Sequence, residues 1–482
     1  MSCPWSLLSL ALATHALAGC AEPPMLATQD SFHLRPWQGR DRDESFRLAP
    51  PRPGPDVDLL PQTVEEAQLP TGLRMLLVAR HDFPIVDMAI VVRRGASDAA
   101  PGVAHMAAGM LAAKNSGWRI TLGPESLVIS ASMTPGRVTT TFSRGASLVQ
   151  RPEFSEHAFA VERTRRVSEL SATSPSGRIN LMTIIGGLLY PNGHPYRLPV
   201  DGGDVSFKNV TLKQLVEFAH GQMAPDQTTV VAVGDITMVQ LTEVVSEAFA
   251  NWQEHASARA KLPRSVDRLP NAPAITLVDQ PTLTQSTIVV ATLGGSVLDG
   301  DFEALQLLEQ ILCAAPTTSR INLMLRERLG YTYQAMSHVE PRRGQGPILF
   351  EQAVAKESTD ASLREILRQI ARLRSEDVPE QELAAAKARL RSSVLLDYDS
   401  FSATFDAVTK IAELGLSPKY AASRLARIRA VSAKQLRTIA AEYLAPERLR
   451  MVIVGDARAI KAPLEAMDFG KVEVIASKNR AL

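Results

Sequence analysis

The sequence predicts an α/β protein of two homologous domains, each a mainly antiparallel sheet with helices packed on one face. Three observations predict this fold: an internal repeat, strand pairs that open each half, and long helical patterns that follow them. The chain of 482 residues is too long for one hydrophobic core, so at least two domains are expected. Its 45% apolar and 21% charged residues are ordinary for a globular protein.

The repeat relates the segment from Val210 to Asp235 to the segment from Val431 to Asp456, without gaps. Both segments begin with a valine, have Lys-Gln-Leu three residues later and Ala-Pro in the middle, and end in Gly-Asp. Each copy has the pattern of an amphipathic helix, a turn with proline and a buried strand. The shift of 221 positions therefore indicates duplication of a unit of roughly 200 residues.

Each half also opens with two strand-like runs that are separated by a turn signal. The turns contain His81-Asp82-Phe83-Pro84 in the first half and Gln280-Pro281 in the second. Strands joined in this way and followed by helices favour antiparallel sheets with helices stacked on one face. The strand-like runs lie at 73–78, 86–92, 275–278 and 286–291, and the longest helical patterns lie at 363–374 and 379–396.

Residues 1–20 are predicted to be a lipoprotein signal peptide. The apolar run from Leu7 to Leu17 leads into Leu17-Ala18-Gly19-Cys20, which matches the bacterial lipoprotein box. In that box small residues admit the signal peptidase, and the cysteine thiol takes the lipid. Because an ordinary secretory signal also ends in small residues, cleavage at another site is the alternative. Acylation of Cys20 would leave Cys313 as a lone thiol, so no intramolecular disulfide is expected.

The remaining boundaries follow from composition and from the repeat. Residues 21–68, rich in Pro, Arg, Asp and Gln, are interpreted as a Pro-rich tether, with an arm packed on the domains as the alternative. The two domains are predicted at 69–262 and 271–482. A net charge of +1 gives no reason to expect nucleic acid as a partner. We therefore expect an exported, lipid-anchored chain in a bacterial cell envelope, facing the periplasm from the outer membrane.

In the first half, the run from Gly102 to Leu111 predicts the opening of a buried helix that carries His105. The inverted zinc-peptidase motif H-x-x-E-H places two histidines one turn apart, so that both imidazoles reach one metal while the glutamate activates water. Here Ala108 stands at the glutamate position and Gly109 at the position of the second histidine. Taken alone, a single histidine in an apolar helix is more often a packed core residue.

These and later motifs resemble the pitrilysin/insulinase family of zinc peptidases, which includes the mitochondrial processing peptidase and the core subunits of the cytochrome bc1 complex. The resemblance covers about residues 69 to 475. Its landmarks occur in the family's order: Arg93-Arg94-Gly95-Ala96-Ser97-Asp98, Gly102-Val103-Ala104-His105, the segment from Tyr190 to Tyr196, the strand from Val231 to Asp235, and Ser319-Arg320 leading to the run from Leu325 to Tyr333.

The resemblance implies a third zinc ligand at Glu169, in a segment that begins with Glu162-Arg163. His105 and Glu169 would then be the only protein ligands, whereas a catalytic zinc normally has three. The general base is missing as well. We therefore expect no zinc on this chain and no hydrolysis by it alone, with the zinc bound by a partner subunit.

The second half matches another part of the family's site. In the family, an arginine and a tyrosine seven residues apart reach into the cleft from the domain without metal. They hold the substrate backbone and help to stabilise the oxyanion, since both side chains are hydrogen-bond donors. Arg326 and Tyr333 match this pair and are the predicted substrate-binding residues. The alternative is that Arg326 forms an ion pair and Tyr333 lines a core.

Two further groups of residues receive structural interpretations. His194 is expected to cap or to pack, because no second metal-type residue lies at helical spacing from it. The run of Arg163, Arg165 and Arg166 is interpreted as a solvated helix face.

The sequence thus predicts an exported non-catalytic subunit of a heteromeric zinc metallopeptidase. Its expected partners are a zinc-bearing homologous subunit, a peptide or unfolded polypeptide substrate, and a membrane reached through the lipid anchor. The main alternative is a proteolytically inactive scaffold or peptide-binding lipoprotein of the same fold. An autonomous peptidase is the third possibility.

Overall fold

Two six-stranded sheets form the framework of the protein in a computed structural model. The structure describes residues 62–113, 117–173, 181–200, 202, 207–252, 263, 265–266 and 269–476. The chain separates into the units Met1–Asp58 and Leu59–Leu482, and all described residues belong to the second. Cys20 and the predicted signal peptide lie outside the described residues.

The first sheet has the strand order β1-β2-β6-β3-β5-β4. Strands β2 and β6 are parallel, and the other neighbours are antiparallel. The strands are β1 (Glu65–Gln68), β2 (Arg74–Ala79), β3 (Val86–Val92), β4 (Arg119–Leu122), β5 (Leu127–Met133) and β6 (Thr228–Gly234).

The second sheet has the order β12-β7-β11-β8-β10-β9, with β7 parallel to both β11 and β12. Its strands are β7 (Ile275–Asp279), β8 (Gln285–Leu293), β9 (Ala335–Val339), β10 (Pro347–Ala355), β11 (Arg450–Gly455) and β12 (Val472–Ala476). The order β7-β11-β8-β10-β9 reproduces β2-β6-β3-β5-β4, and only the outer strands β1 and β12 differ. The predicted fold class, two homologous α/β domains with mainly antiparallel sheets, is confirmed.

Helices surround both sheets. In the first half they are α1 (Val103–Ala113), α2 (Val138–Gln150), α3 (Glu156–Thr173), α4 (Leu181–Leu189), α5 (Leu212–Gln222) and α6 (Met238–Ala248). In the second half they are α7 (Phe302–Glu309), the one-turn α8 (Arg320–Asn322), α9 (Thr359–Ser375), α10 (Glu380–Leu396), α11 (Phe401–Leu414), α12 (Tyr420–Ala430), α13 (Ala433–Tyr443) and α14 (Ala457–Glu465). Two π-helical segments, Gln310–Ala314 and Leu323–Arg328, continue α7 and α8. Within the described part of the chain, no helix has the length and apolar character needed to cross a bilayer.

The sequence repeat corresponds to equivalent elements in the two halves. Helices α5 and α13 have the same length, and their N-caps are the aligned residues Thr211 and Ser432. Each hydroxyl oxygen accepts a hydrogen bond from the backbone N–H three residues later, at Gln214 and Gln435, which satisfies an otherwise unpaired helix-start donor. Strands β6 and β11 then end at the glycine of each Gly-Asp pair.

The two halves each contribute one helix to the other half's sheet. Alternate side chains of β2 point to opposite faces, so that Met75 packs against helices of its own half while Leu76 belongs to the core shared with the second half. Helix α11 of the second half covers that shared face through contacts with β2, β3 and β6. Conversely, Ile185 and Leu189 of α4 pack against Val289 and Val452 of the second sheet. Each sheet is thus covered on its second face by a helix from the opposite half. The sequence pattern predicted helices on one face only and did not indicate this exchange.

The first domain starts earlier than predicted. Residues 65–68, interpreted as the end of the tether, form β1 and pair antiparallel with β2, from Glu65 opposite Leu77 to Gln68 opposite Arg74. The physical reason is that β2 would otherwise present an unpaired edge, which β1 closes. The boundary at 69 therefore lies inside the folded part of the chain.

Candidate functional site

His105 lies on α1, which is apolar along its whole length. The side chain is partly buried, and its ring centroid is 5.9 Å from that of Phe207, in the short helical turn before α5. Gly109, four residues later, lies on the same face of the helix as His105. Ala108 is buried in the core of the first half. These three positions correspond to the first histidine, the second histidine and the glutamate of the zinc motif.

A carboxylate from α3 fills the space beside Gly109. A Cβ built on Gly109 would overlap Oε1 of Glu162 and would lie 2.8 Å from its Cδ. Real Cβ contacts of that length do not occur, because the atoms would interpenetrate. Glu162 is only 5% exposed, so its carboxylate is held against α1 and not directed into solvent.

Two arginines of α3 neutralise this buried carboxylate. Arg165 donates from Nε to Oε2 of Glu162 at 2.9 Å and from Nη2 to Oε1 at 2.6 Å. Arg166 donates from Nε to Oε1 at 2.8 Å. Burial would raise the pKa of Glu162, but the hydrogen bonds from the two guanidinium groups outweigh it and hold the pKa below its usual value.

The same arginines bind the predicted third zinc ligand. Glu169 accepts a hydrogen bond from Nη1 of Arg165 and another from Nη1 of Arg166, the latter at 3.3 Å. Arg165 is exposed, as the interpretation of a solvated face requires, but both arginines also form ion pairs within the helix, and Arg166 is partly buried. Their spacing from Glu162 and Glu169, three or four positions, is the spacing at which opposite charges meet on a helix. Arg163 is different, with its guanidinium carbon 5.0 Å from the ring centroid of Phe159.

The residues at the motif do not fit a catalytic zinc ion. The volume beside Gly109 holds the Glu162 carboxylate, and Nη2 of Arg166 would lie 3.0 Å from a Cβ on Gly109, so a positive charge beside this position opposes a dication. Both oxygens of Glu169 are engaged by guanidinium groups. Among the residues that the structure describes, no group of three or more His, Cys, Asp or Glu side chains is arranged to hold a metal ion.

Arg326 and Tyr333 lie together at the surface of the second half. The guanidinium carbon of Arg326 is 5.5 Å from the ring centroid of Tyr333, within the range of a cation–π contact. Tyr333 is 84% exposed, so it does not line a core. Arg326 also lies 3.3 Å from a carboxylate oxygen of Glu327 and donates a 3.5 Å hydrogen bond to the carbonyl oxygen of Pro316. The structure thus brings the two predicted residues together, with a phenol that is open to solvent.

Arg326 and Tyr333 lie in and next to segments of irregular backbone. Arg326 lies in the π-helical segment Leu323–Arg328, a geometry that often marks functional sites. The chain then turns at Gly330, whose φ of +65° is in the left-handed region that favours glycine, and the N–H of Tyr331 donates to the carbonyl oxygen of Leu325 at 2.8 Å. This turn brings Tyr333 back toward Arg326.

Three residues near the pair in sequence have exposed apolar side chains. Leu323 is 40% exposed, Leu329 is 42% exposed and Met336, on the edge strand β9, is 53% exposed. This half therefore offers both hydrogen-bond donors, on Arg326 and Tyr333, and exposed apolar side chains, which are the groups that hold a polypeptide backbone and its side chains.

His194 has the packing role expected for it. Its ring stacks on Tyr190 at 4.7 Å, and Nδ1 accepts a hydrogen bond from the backbone N–H of Tyr196 at 3.1 Å. Burial, and secondly the charge of Arg342, lower the pKa of His194 to about 4, so it is neutral at pH 7.

Tyr196 also donates to the buried carboxylate of Glu125, which accepts a 3.1 Å hydrogen bond from the backbone N–H of Arg343 in the second half. The Tyr190–Tyr196 segment is thus part of the joint between the halves.

The fold and the motif together define a class of protein: a duplicated α/β chain built like a zinc peptidase, in which the zinc motif is incomplete and filled by an ion-pair cluster. Comparison with known proteins supports the part of this description that concerns the fold. The family model described as the peptidase M16 inactive domain matches residues 209–390.

Relatives and solved structures agree with this match. The probable inactive metalloprotease YmfF of Bacillus subtilis (strain 168) is 22% identical over 215 residues, which are 43% of this chain and 47% of that relative. The chain thus matches about half the length of this curated relative. The crystal structure of a peptidase M16 inactive domain from Pseudomonas fluorescens has a TM-score of 0.71 at 20% identity, covering 82% of this chain and 98% of that one. A chain of complex III2 from Candida albicans, solved with Inz-5 bound, has a TM-score of 0.69 at 14% identity, covering 84% and 99% of the two chains.

The resemblance to pitrilysin/insulinase (M16) peptidases is therefore confirmed. The chain is an M16-like peptidase homologue of the inactive type.

Proposed function

We propose that this chain is the exported, non-catalytic subunit of a heteromeric zinc metallopeptidase, in which Arg326 and Tyr333 bind substrate at a zinc site carried by a partner. One observation carries the proposal: the guanidinium of Arg326 faces the ring of an 84% exposed tyrosine. A tyrosine this exposed has little to contribute to the fold, whereas both side chains of the pair are donors suited to a peptide carbonyl or an oxyanion.

The ion-pair cluster at the zinc motif supports the proposal that this chain binds substrate while a partner subunit binds zinc. Glu162, Arg165, Arg166 and Glu169 neutralise one another, which leaves the carboxylates at this motif paired with arginines. A subunit of this kind contributes binding groups and surface, while the partner supplies the metal, the activated water and the general base. The proposed partner is a homologous zinc-bearing subunit, and the proposed substrate is a peptide or an unfolded polypeptide.

The same proposal includes a location. The box Leu17-Ala18-Gly19-Cys20 supports acylation of Cys20 and anchoring of the chain in the outer membrane, facing the periplasm. Under this arrangement the anchor would hold the peptidase complex at the membrane surface.

Reconstitution tests the proposal. The full chain is purified from its native membrane together with bound proteins, and the co-purifying zinc-bearing homologue is then assayed on an unstructured peptide with and without this chain. We expect activity that neither subunit shows alone. Arg326→Ala and Tyr333→Phe should each lower kcat by roughly 10²- to 10³-fold while the complex still assembles. Arg328→Ala, which removes a neighbouring exposed arginine, is the matched control and should leave kcat unchanged.

The outcome separates this proposal from the scaffold alternative. Wild-type turnover in both pair variants, or the absence of any partner that gains activity, would overturn the subunit role. An inactive scaffold or peptide-binding lipoprotein of the same fold would then be the function to pursue.

A further inference from the structure

A buried amide lies between the segments that carry Arg326 and Tyr333. Asn322 is 0% exposed and precedes Arg326 by four residues, at the start of the same helical run. Its side-chain oxygen accepts a 2.8 Å hydrogen bond from the backbone N–H of Ala335, and its nitrogen donates at 3.1 Å to the carbonyl oxygen of Ala335. The side chain therefore pairs with the beginning of edge strand β9 as a neighbouring strand would, two residues after Tyr333.

The side-chain amide of Asn322 also contacts residues that precede α8 in the chain. Its nitrogen lies 2.9 Å from the carbonyl oxygen of Cys313 and 3.1 Å from Oγ of Ser319. Ser319 in turn bonds the carbonyl oxygens of Cys313 and Ala315, at 3.1 and 2.6 Å. The residues of this network are buried, and a satisfied network in a low-dielectric core is rigid because each bond that breaks leaves an unpaired polar group.

The loop with the tyrosine is fixed on its other side as well. The hydroxyl of Thr332 donates to the carbonyl oxygen of Ala353 in β10 at 2.8 Å. Tyr333 thus lies between an anchor to the sheet at Thr332 and an anchor to the helical run at Ala335. The second anchor is the one that links the tyrosine to the segment of the arginine.

We infer that Asn322 is a positioning residue that holds Arg326 against Tyr333, by tying the helical run with the arginine to the strand that follows the tyrosine. Its importance for catalysis rests on the proposed function, whereas the positioning is a property of this chain alone. Asparagine suits this role because it offers a donor and an acceptor side by side, as a backbone amide does. An aliphatic side chain would leave both polar groups of Ala335 without these partners.

The positioning is tested on the full chain labelled with 3-fluorotyrosine. The ¹⁹F resonance of Tyr333 is assigned by its loss in Tyr333→Phe, and Arg326→Ala gives the shift that follows removal of the cation. We expect Asn322→Ala to move this resonance in the same direction as Arg326→Ala, although it changes neither member of the pair. Thr404→Ala, which removes a fully buried hydroxyl in α11, controls for a general loss of stability and should leave the resonance in place.

Hydrogen exchange provides a second readout. In Asn322→Ala, amide exchange in the segment 329–337 should be about tenfold faster or more, with other segments unchanged relative to Thr404→Ala. Asn322→Ser keeps one short hydroxyl in place of the amide donor and acceptor, so an intermediate effect is expected. This variant also serves if Asn322→Ala does not fold. A wild-type Tyr333 resonance with wild-type exchange in either folded variant would overturn the inference.

The experiment also separates failure of this inference from failure of the proposed function. In the reconstituted peptidase, Asn322→Ala should lower kcat by about tenfold with a smaller effect on KM, less than Arg326→Ala does. If Arg326→Ala leaves turnover unchanged while Asn322→Ala still shifts the Tyr333 resonance, the proposed function fails and the positioning stands. If Arg326→Ala lowers turnover but Asn322→Ala shifts neither the resonance nor kcat, the positioning fails alone.

Discussion

The carboxylate of Glu162 on α3 occupies the space that a side chain on Gly109 of α1 would need. A Cβ on Gly109 would lie 2.8 Å from Cδ of Glu162 and would overlap Oε1. Arg165 and Arg166 fix the carboxylate in that place through three hydrogen bonds. The second histidine of the zinc motif is therefore replaced by glycine in the sequence. In addition, the space that its side chain would need is filled by a side chain of the facing helix.

A double-mutant cycle measures the energetic coupling between position 109 and Glu162. Gly109→Leu should lower the free energy of unfolding by about 1–3 kcal/mol, because the new side chain overpacks the contact between α1 and α3. In a chain that already carries Glu162→Ala, the same substitution should cost less, with a coupling of about 1 kcal/mol or more in urea unfolding. Additive effects of the two substitutions would contradict the assigned contact.

The metal content of the purified chain is the second prediction. We expect no near-equimolar zinc by elemental analysis and no cleavage of an unstructured peptide. Restoring the motif with Ala108→Glu and Gly109→His together should still not produce a zinc site, because the new imidazole would meet the Glu162 carboxylate and the guanidinium of Arg166. Near-equimolar zinc with chelator-sensitive hydrolysis in the unaltered chain would contradict the prediction.

A pH dependence of stability is expected from Glu309, the last residue of α7. Burial raises its pKa to about 7, although the hydroxyl of Ser337, 3.2 Å from Oε1, lowers it in part. The folded chain thus keeps this proton at pH values where the unfolded chain, with a pKa near 4.5, has lost it. Glu309 therefore contributes stability that is full below pH 4.5 and is lost as the pH rises to about 7.

Glu309→Gln isolates this contribution. The loss of unfolding free energy between pH 4.5 and pH 7 should shrink in the variant by an amount on the order of 3 kcal/mol. Urea unfolding of both proteins at several pH values gives the difference. An identical pH profile for the two proteins would show that the pKa of Glu309 is the same in the folded and the unfolded chain, and would contradict the prediction.

The lipid anchor is the fourth prediction. Cys20→Ser should leave the chain unacylated and move it from the membrane fraction to the soluble fraction. Mass spectrometry of the mature N-terminus is the direct measurement. A mature chain that begins at another residue and carries no lipid would refute the assignment of Leu17-Ala18-Gly19-Cys20 as a lipoprotein box.

Local signals in the sequence were sufficient for the parts of the fold that depend on neighbouring residues. The capped helices that begin after Thr211 and Ser432, and the strands that follow them, were visible in the repeat. The pairing of Arg165 and Arg166 with Glu162 and Glu169 also follows from helical spacing and could have been predicted.

Contacts between distant segments could not be predicted in this way. Gly109 and Glu162 lie on separate helices, and their contact depends on how α1 packs against α3. The link from Asn322 to Ala335 depends on a turn through a π-helical segment, which has no periodic signature in the sequence. Side chains that complete a site across such contacts become apparent only in three dimensions.

The exchange of α4 and α11 between the halves has a consequence for biosynthesis. Translation completes the first sheet at Gly234, but the helix that covers its shared face, Phe401–Leu414, is made much later. During that interval Leu76, Val78 and Val233 have no cover from α11. A nascent chain that stops before Leu414 therefore presents an apolar sheet to water, which is the kind of surface that chaperones bind and that aggregates when left unprotected.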